Sequence, residues 1–240
     1  MKISDIEVTP IHPERWGSDL DVVNAARVSF GKESTLDTSD GVNFFLRFED
    51  AKLIRYLAKH KHHSPFNHTF LSFRIKAPIF VARQLVKHKF MPWNEVSRRY
   101  VDSEPEFYFP GKGKWREKAE NVKQGSGREG AVLKLNNEDL WGDFDNRCDP
   151  EIHTSLLCYD ALGLYNQLKE SGVCPEQARM VLPLNTMTEW RWSGTLGAFL
   201  DMLVLRLDSH TQKETRDVAL LIAEYVKKVF PFSYAAYLED

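Results

Sequence analysis

Apolar residues recur along this chain with two periods, and the switches between them outline an α+β protein. Residues 5–10 predict a short strand. Residues 18–29 predict a helix, with Ser18 or Asp19 as its cap. The polar stretch 31–43 predicts a loop. From Asp50 to Lys61, Leu53, Ile54, Leu57 and Ala58 fall at helical spacing. Pro65 then sets a turn in HHSPFNH. Thr69 to Lys76 alternates Phe70, Leu71, Phe73 and Ile75 with polar residues, as a strand does. Pro78 opens a helix through Phe80, Val81, Gln84, Leu85 and His88, and Pro92 ends it. On that helix Gln84, Lys87, His88 and Met91 would share a face.

The last third reads as helical. Thr154 to Glu170 predicts one helix, and Pro175 starts another that stops before Pro183. Leu196 to Asp208 predicts a third, with Arg206 between two leucines and His210 at i+4. Thr211 and Glu214 stand at the spacing of a capping box. The helix they open carries Val218, Leu221, Ile222, Tyr225, Val226 and Val229 on one face, and Pro231 closes it. The expected architecture is a helix-rich single domain over residues 1–240 with a small antiparallel sheet. Residues 102–148, rich in Gly, Lys, Glu and Asp, form a long irregular excursion.

Composition narrows the class. The net charge of the 240 residues is −2, so no generally basic nucleic-acid surface is expected, and any anion site must be made locally. No segment is apolar over the length of a membrane span, and MKISDIEVTP carries no leader-like run. Cys148, Cys158 and Cys174 lack CxxC spacing. That fits a reducing, cytoplasmic setting and predicts neither disulfides nor zinc. The cluster His60, His62, His63 and His68 lacks carboxylate or cysteine company at helix spacing, so no metal is expected.

The chemistry concentrates in residues 83–100. Arg83, Lys87, Lys89, Arg98 and Arg99 face a single carboxylate, Glu95, with Leu85, Val86, Phe90, Met91 and Trp93 interspersed. Taken alone, Lys87 and Lys89 read as the cationic end of a helix. With Asn94, Glu95, Ser97, Arg99 and Tyr100 following, the stretch reads as a pocket for a flat anion rich in hydrogen-bonding groups, such as a nucleotide.

This stretch resembles the signature RQxxRHRxxSxNExSxRY of the flavin-dependent thymidylate synthases. Arg83-Gln84, Lys87-His88-Lys89, Asn94-Glu95, Ser97 and Arg99-Tyr100 stand in matching register. SPFNH at 64–68, ARMVLPLNTMTEW at 178–190, LRLDSHTQKE at 205–214 and NAARVSFGK at 24–32 are similar to further blocks of that family. KHK replaces RHR, and Asn67, Pro92, Thr195, Gly197 and Asp201 depart from the common residues.

The resemblance implies that family's fold and a reductive methylation of dUMP to dTMP. Methylenetetrahydrofolate would give the carbon, and FAD reduced by NADPH would give the hydride. It also implies a homotetramer with active sites shared between subunits. By correspondence, dUMP would contact Gln84, Lys87, Glu95, Ser97, Arg98, Arg99, Tyr100, Arg179 and Arg206, with Arg206 the catalytic residue polarising the uracil. FAD would contact His62, Ser64, Lys87, His88, Lys89, Glu95, Thr195, Gly197, Asp201 and His210. No cysteine lies in a segment prepared for covalent attack on the base, so the expected mechanism is electrostatic. Two alternatives stand beside it: a non-catalytic nucleotide- or RNA-binding protein on this fold, and a flavoprotein with another substrate.

Overall fold

The computed structural model describes residues 1–38, 41–101, 103–120, 125–134 and 147–239, without the side chains of 12–15, 134 and 147. Its centre is a four-stranded antiparallel sheet. The strands are β1 (Glu7–Trp16), β2 (Phe70–Pro78), β3 (Trp93–Glu95) and β6 (Met187–Thr195), in the order β1-β2-β6-β3. Two more strands, β4 (Arg116–Lys118) and β5 (Ser126–Glu129), pair within the excursion. Strand β6 is absent from the pattern-based expectation. Its Trp-Arg-Trp-Ser alternation is strand-like, but it is hidden between helical segments.

Register builds the core. Phe73 pairs with Trp192 and Ile75 with Trp190, and Trp93 stacks on Trp190 with centroids 4.5 Å apart. Phe73, Ile75, Trp190 and Trp192 are fully buried. Each such apolar side chain contributes roughly 2–3 kcal/mol by leaving water, and the offset ring pairs add about 1 kcal/mol. The other face is polar. Ser72 and Ser193 hydrogen-bond at 2.8 Å, and Arg74 pairs with Glu189 at 2.6 Å.

Seven helices matter here: α1 (Asp19–Arg27), α2 (Phe48–Lys59), α3 (Ile79–Leu85), α4 (Pro150–Glu170), α5 (Leu196–Arg206), α6 (Lys213–Val229) and α7 (Pro231–Leu238). Phe199, Leu200 and Leu203 of α5 and Val218, Ile222 and Val226 of α6 belong to the cluster that covers the apolar sheet face. Asp149 caps α4, accepting from the Glu151 amide at 2.9 Å, so this helix begins earlier than Thr154.

Several expectations change. Helix α3 stops at Leu85, because residues 86–90 form turns and Phe90 takes a left-handed φ of 62°. Gln84, Lys87, His88 and Met91 therefore share no helix face; Met91 is buried against Gly194. Thr211 makes no capping box. Gln212 is the cap of α6, Thr211 Oγ1 donates to the Leu205 carbonyl, and Glu214 is buried elsewhere. Pro231 opens α7 as well as closing α6, since its missing N–H is no loss at a first turn. Part of the polar loop pairs, Asp37–Thr38 with Phe44–Phe45. Of the excursion, residues 102, 121–124 and 135–146 lie outside the described residues.

The start of α7 is held from a distance. The Asp19 carboxylate, buried in α1, accepts from the backbone N–H groups of Phe232 and Ser233, both at 3.0 Å. An anion at a helix N-terminus satisfies orphan donors and the dipole together. Asp19→Ala is expected to lower unfolding free energy by about 2–4 kcal/mol, read as the shift in a urea titration; a change under about 0.5 kcal/mol would show that α7 docks without it.

Candidate active site

Gln84 and Arg206 meet where α3 and α5 both end. Arg206 Nε donates to His88 Nε2 at 3.0 Å, and Nη2 donates to the Gln84 carbonyl at 3.3 Å. A guanidinium can only donate, so His88 must present a bare Nε2 and keep its proton on Nδ1. Burial, helped by the Arg206 charge, pushes the His88 pKa down to about 4 and keeps the ring neutral. Arg206 is half-buried, and burial lowers its own pKa. No carboxylate among the described residues pairs with it. A partly desolvated cation held by two neutral acceptors retains most of its field for a ligand.

Beside it opens a cavity of about 600 Å3. Gln84, Arg206, His210 and Gln212 line one side, and Arg116 and Ser126 of the excursion line another. The Gln84 amide is fixed at both ends: Nε2 donates to Gln212 Oε1, and Oε1 accepts from Thr215 Oγ1 at 3.1 Å. His210 stands past the end of α5, exposed, with Nδ1 3.0 Å from Asp208.

Glu95, Arg98 and Arg179 line a second cavity, of about 360 Å3, on the polar side of the sheet. Glu95 is held at its mouth by Thr188 Oγ1 at 2.7 Å and by Trp93 Nε1 at 3.0 Å. Arg179 is exposed; its Nε donates to the Glu176 carbonyl at 3.4 Å. It lies in a single 3-10 turn after the short helix Pro175–Ala178, and so not early in a helix. Ser97 accepts from Arg99, which also lies over the exposed Tyr100 ring at 4.8 Å. Arg99 reaches Glu176 at 3.6 Å. The cavity lined by Gln84 and Arg206 and the cavity lined by Arg179 are thus separate within one chain.

The remaining positions divide. Lys87 and Lys89 are exposed, with no carboxylate partner among the described residues, beside Phe90, which is 92% exposed. His62 meets Tyr56 edge-on at 5.9 Å, and exposed Ser64 starts a 3-10 turn. Thr195 caps α5, and its hydroxyl also donates to Asn67 at 2.7 Å. Gly197 is buried where an added Cβ would lie 2.6 Å from Asn67 Oδ1, so its smallness serves this packing. Burial pushes the Tyr237 pKa up to about 12, and the charge of exposed Asp201 adds to that shift. Unpaired ammonium groups next to an exposed aromatic ring suit a diphosphate and a flat heterocycle, so the donor set fits a flavin dinucleotide.

Sequence reasoning missed Arg116, Ser126, Gln212 and Thr215, and it misread Glu214. Arg116 and Ser126 carry no signal, because a lone cation or hydroxyl in a Lys/Glu/Gly-rich stretch looks like solvated loop. No group of three His, Cys, Asp or Glu able to hold a metal gathers among the described residues, and no helix there is long and apolar enough to cross a membrane.

Known proteins are similar to this chain over most of its length. The family model described as thymidylate synthase complementing protein matches residues 14–232. A flavin-dependent thymidylate synthase of Thermus thermophilus is 40% identical over 228 residues, spanning 94% of this chain and 74% of the relative. One from Kosmotoga olearia is 37% identical over 225 residues, spanning 94% and 87%. Among solved structures, the UMP/dUMP methylase PolB of Streptomyces cacaoi, bound with 5-Br dUMP, superposes with a TM-score of 0.76 at 28% identity, covering 100% of this chain and 97% of that one. A family model matched over residues 14–232 and relatives of 37–40% identity along 94% of its length show that the chain belongs to the flavin-dependent thymidylate synthase family.

Proposed function

We propose that this protein methylates dUMP at C5 to give dTMP, with methylenetetrahydrofolate as carbon donor and NADPH as the reductant of its flavin. The observation that carries this reading is Arg206: a half-buried guanidinium, free of carboxylates among the described residues, opening on a cavity the size of a nucleotide site. Uracil C5 is a weak nucleophile until negative charge is stabilised on the ring. Arg206 facing the carbonyl edge supplies that stabilisation, and Gln84, oriented by Gln212 and Thr215, reads the neighbouring polar edge. None of the three cysteines lines the Arg206 cavity, so we assign no thiol the part of a covalent nucleophile. Cys158 is buried, and burial pushes its pKa up despite a contact with Asn185.

Arg98, Arg99, Arg179 and Lys87 provide cations for the monophosphate. Ser97, Glu95 and Tyr100 provide hydrogen-bonding groups around the sugar and base. Lys87, His88, Lys89, His62, Ser64, Glu95 and the start of α5, with Thr195, Gly197 and Asp201, together with His210 are the groups we assign to FAD, which when bound and reduced supplies the hydride. Because the Arg179 and Arg206 cavities are separate in one chain, we assign the complete site to a contact between copies, in the homotetramer that the family resemblance implies. The exposed apolar residues Ile152, Leu156, Leu157 and Leu164 of α4 are available for that burial. We read residues 1–240 as one catalytic unit, in the cytoplasm, where the free thiols Cys148, Cys158 and Cys174 stay reduced.

The direct test is tritium release from 5-labelled dUMP. Release is expected only with FAD, NADPH and methylenetetrahydrofolate all present; none with the full set would overturn the assignment. Arg206→Ala is expected to cut turnover by about 10²–10³-fold while the purified protein stays folded and yellow. Lys87→Arg and Lys89→Arg keep the charge and add a fork, so both are expected to retain activity; complete inactivation of both would show that the site is built differently.

The neutral His88 generates a pH dependence. Its folded pKa of about 4 lies below the ordinary 6.5, so its contribution is intact above 6.5 and is lost as pH falls toward 4. His88→Gln keeps an acceptor for Arg206 without a titrating group. Between pH 6.5 and 4 the wild type is expected to lose more Tm than this variant; equal losses would mean that His88 does not titrate in that window.

A further inference from the structure

A chain of polar contacts runs from the excursion to Gln84. Arg116 of β4 reaches Glu214 Oε1 through Nη2 at 2.6 Å, while its Nε is anchored on Ser126 of β5 at 2.7 Å. The other carboxylate oxygen, Oε2, accepts from Gln212 Nε2 at 3.1 Å. Gln212 Oε1 in turn accepts from Gln84 Nε2. Thr215 closes the set on Gln84 Oε1, and the Gln84 backbone carbonyl holds Arg206.

Directionality gives this chain its force. An isolated amide can flip, exchanging its donor and acceptor ends at little cost. A carboxylate only accepts, so ionised Glu214 obliges Gln212 to point its NH2 group inward. That leaves Gln212 Oε1 facing Gln84, which must then offer its own NH2. Burial pushes the Glu214 carboxyl up, but the hydrogen bond and charge of Arg116 and the Gln212 contact prevail and keep it below the usual range, hence ionised. The carboxylate is 2% exposed, and Arg116 is its cation. Removing that cation strands a buried charge, which takes up a proton and frees both amides to turn.

We propose that Arg116 and Glu214 are positioning residues for the nucleotide site, setting the donor and acceptor ends of Gln84 through Gln212 and so the face that the cavity offers to the pyrimidine. This rests on the reading of the Arg206 cavity as the dUMP site. It gives the excursion a part in substrate recognition: two of its strands wall the cavity and one of its arginines fixes the polarity of a group that reads the base.

The test uses purified full-length protein loaded with FAD and measures dUMP binding by calorimetry together with kcat and KM. Arg116→Met is expected to raise the dUMP Kd about tenfold, and Arg116→Lys to restore most of it, because a cation returns to Glu214. Gln212→Ala interrupts the same chain, so the double variant with Arg116→Met should bind no worse than the weaker single variant. Multiplying losses would mean that Arg116 acts alone, by direct contact or general support, and would overturn the proposal; so would Arg116→Met binding within twofold of wild type. If Arg116→Met does not fold, Gln212→Ala and Glu214→Gln replace it, with the same non-additive result expected and multiplied losses overturning the idea. Wild-type protein that binds no dUMP, by contrast, would overturn the site assignment itself.

Discussion

The pairing of β2 with β6 is the constraint on which the rest depends. These strands lie more than a hundred residues apart in sequence, yet they pair along their full lengths, from Thr195 opposite Phe70 to Met187 opposite Pro78. The register sets Trp190 and Trp192 against Ile75 and Phe73. A slip of one residue would turn both indoles to the polar face and bury Arg191. Each strand also feeds a helix directly. Pro78 leads into α3, and Thr195 caps α5 at the opposite end of the ladder. Helix α5 spans roughly 16 Å at 1.5 Å per residue, and its last residue, Arg206, comes back to the end of α3. The meeting of Gln84 with Arg206 thus follows from strand register together with one helix length.

That geometry separates the site groups by mechanical origin. Gln84, His88 and Arg206 are set by the sheet and its two helices, which the packed aromatics hold stiffly. Arg98 and Arg179 sit on turns around the polar face, where ion pairs such as Lys76 with Glu106 at 2.6 Å are partly exposed and individually weak. On the assignment proposed above, the groups that would read the base stand on rigid elements and those that would hold the phosphate stand on turns. The division suits a ligand whose ring needs exact placement and whose phosphate needs mainly charge.

Much of this is legible in the residues. The strand at Phe70, the helices around Leu53, Leu203 and Ile222, and the polar blocks near 84–100 and 205–214 follow from periodicity and from the resemblance they carry. The failures have separate physical causes. Strand β6 stays hidden because Trp190 and Trp192 need partners from elsewhere before their alternation means anything. The end of α3 is overrun because nothing in HKF announces a left-handed Phe90. Glu214 looks locally like half of a capping box, while its real partner, Arg116, lies 98 positions away. A long-range ion pair leaves no trace in local spacing, and that is why the polar chain to Gln84 emerges only in three dimensions.

The lysines at 87 and 89 carry one more consequence. They stand in open solvent as compact charges, whereas Arg206 is half withdrawn from it. Counter-ions crowd the first environment and barely enter the second, since screening at physiological ionic strength acts over about 8 Å of water. On the assignment proposed above, the two ends of the binding surface would answer differently to salt: the outer ledge would loosen its grip on anionic ligands as ions are added, while the inner guanidinium would keep its hold on the ring.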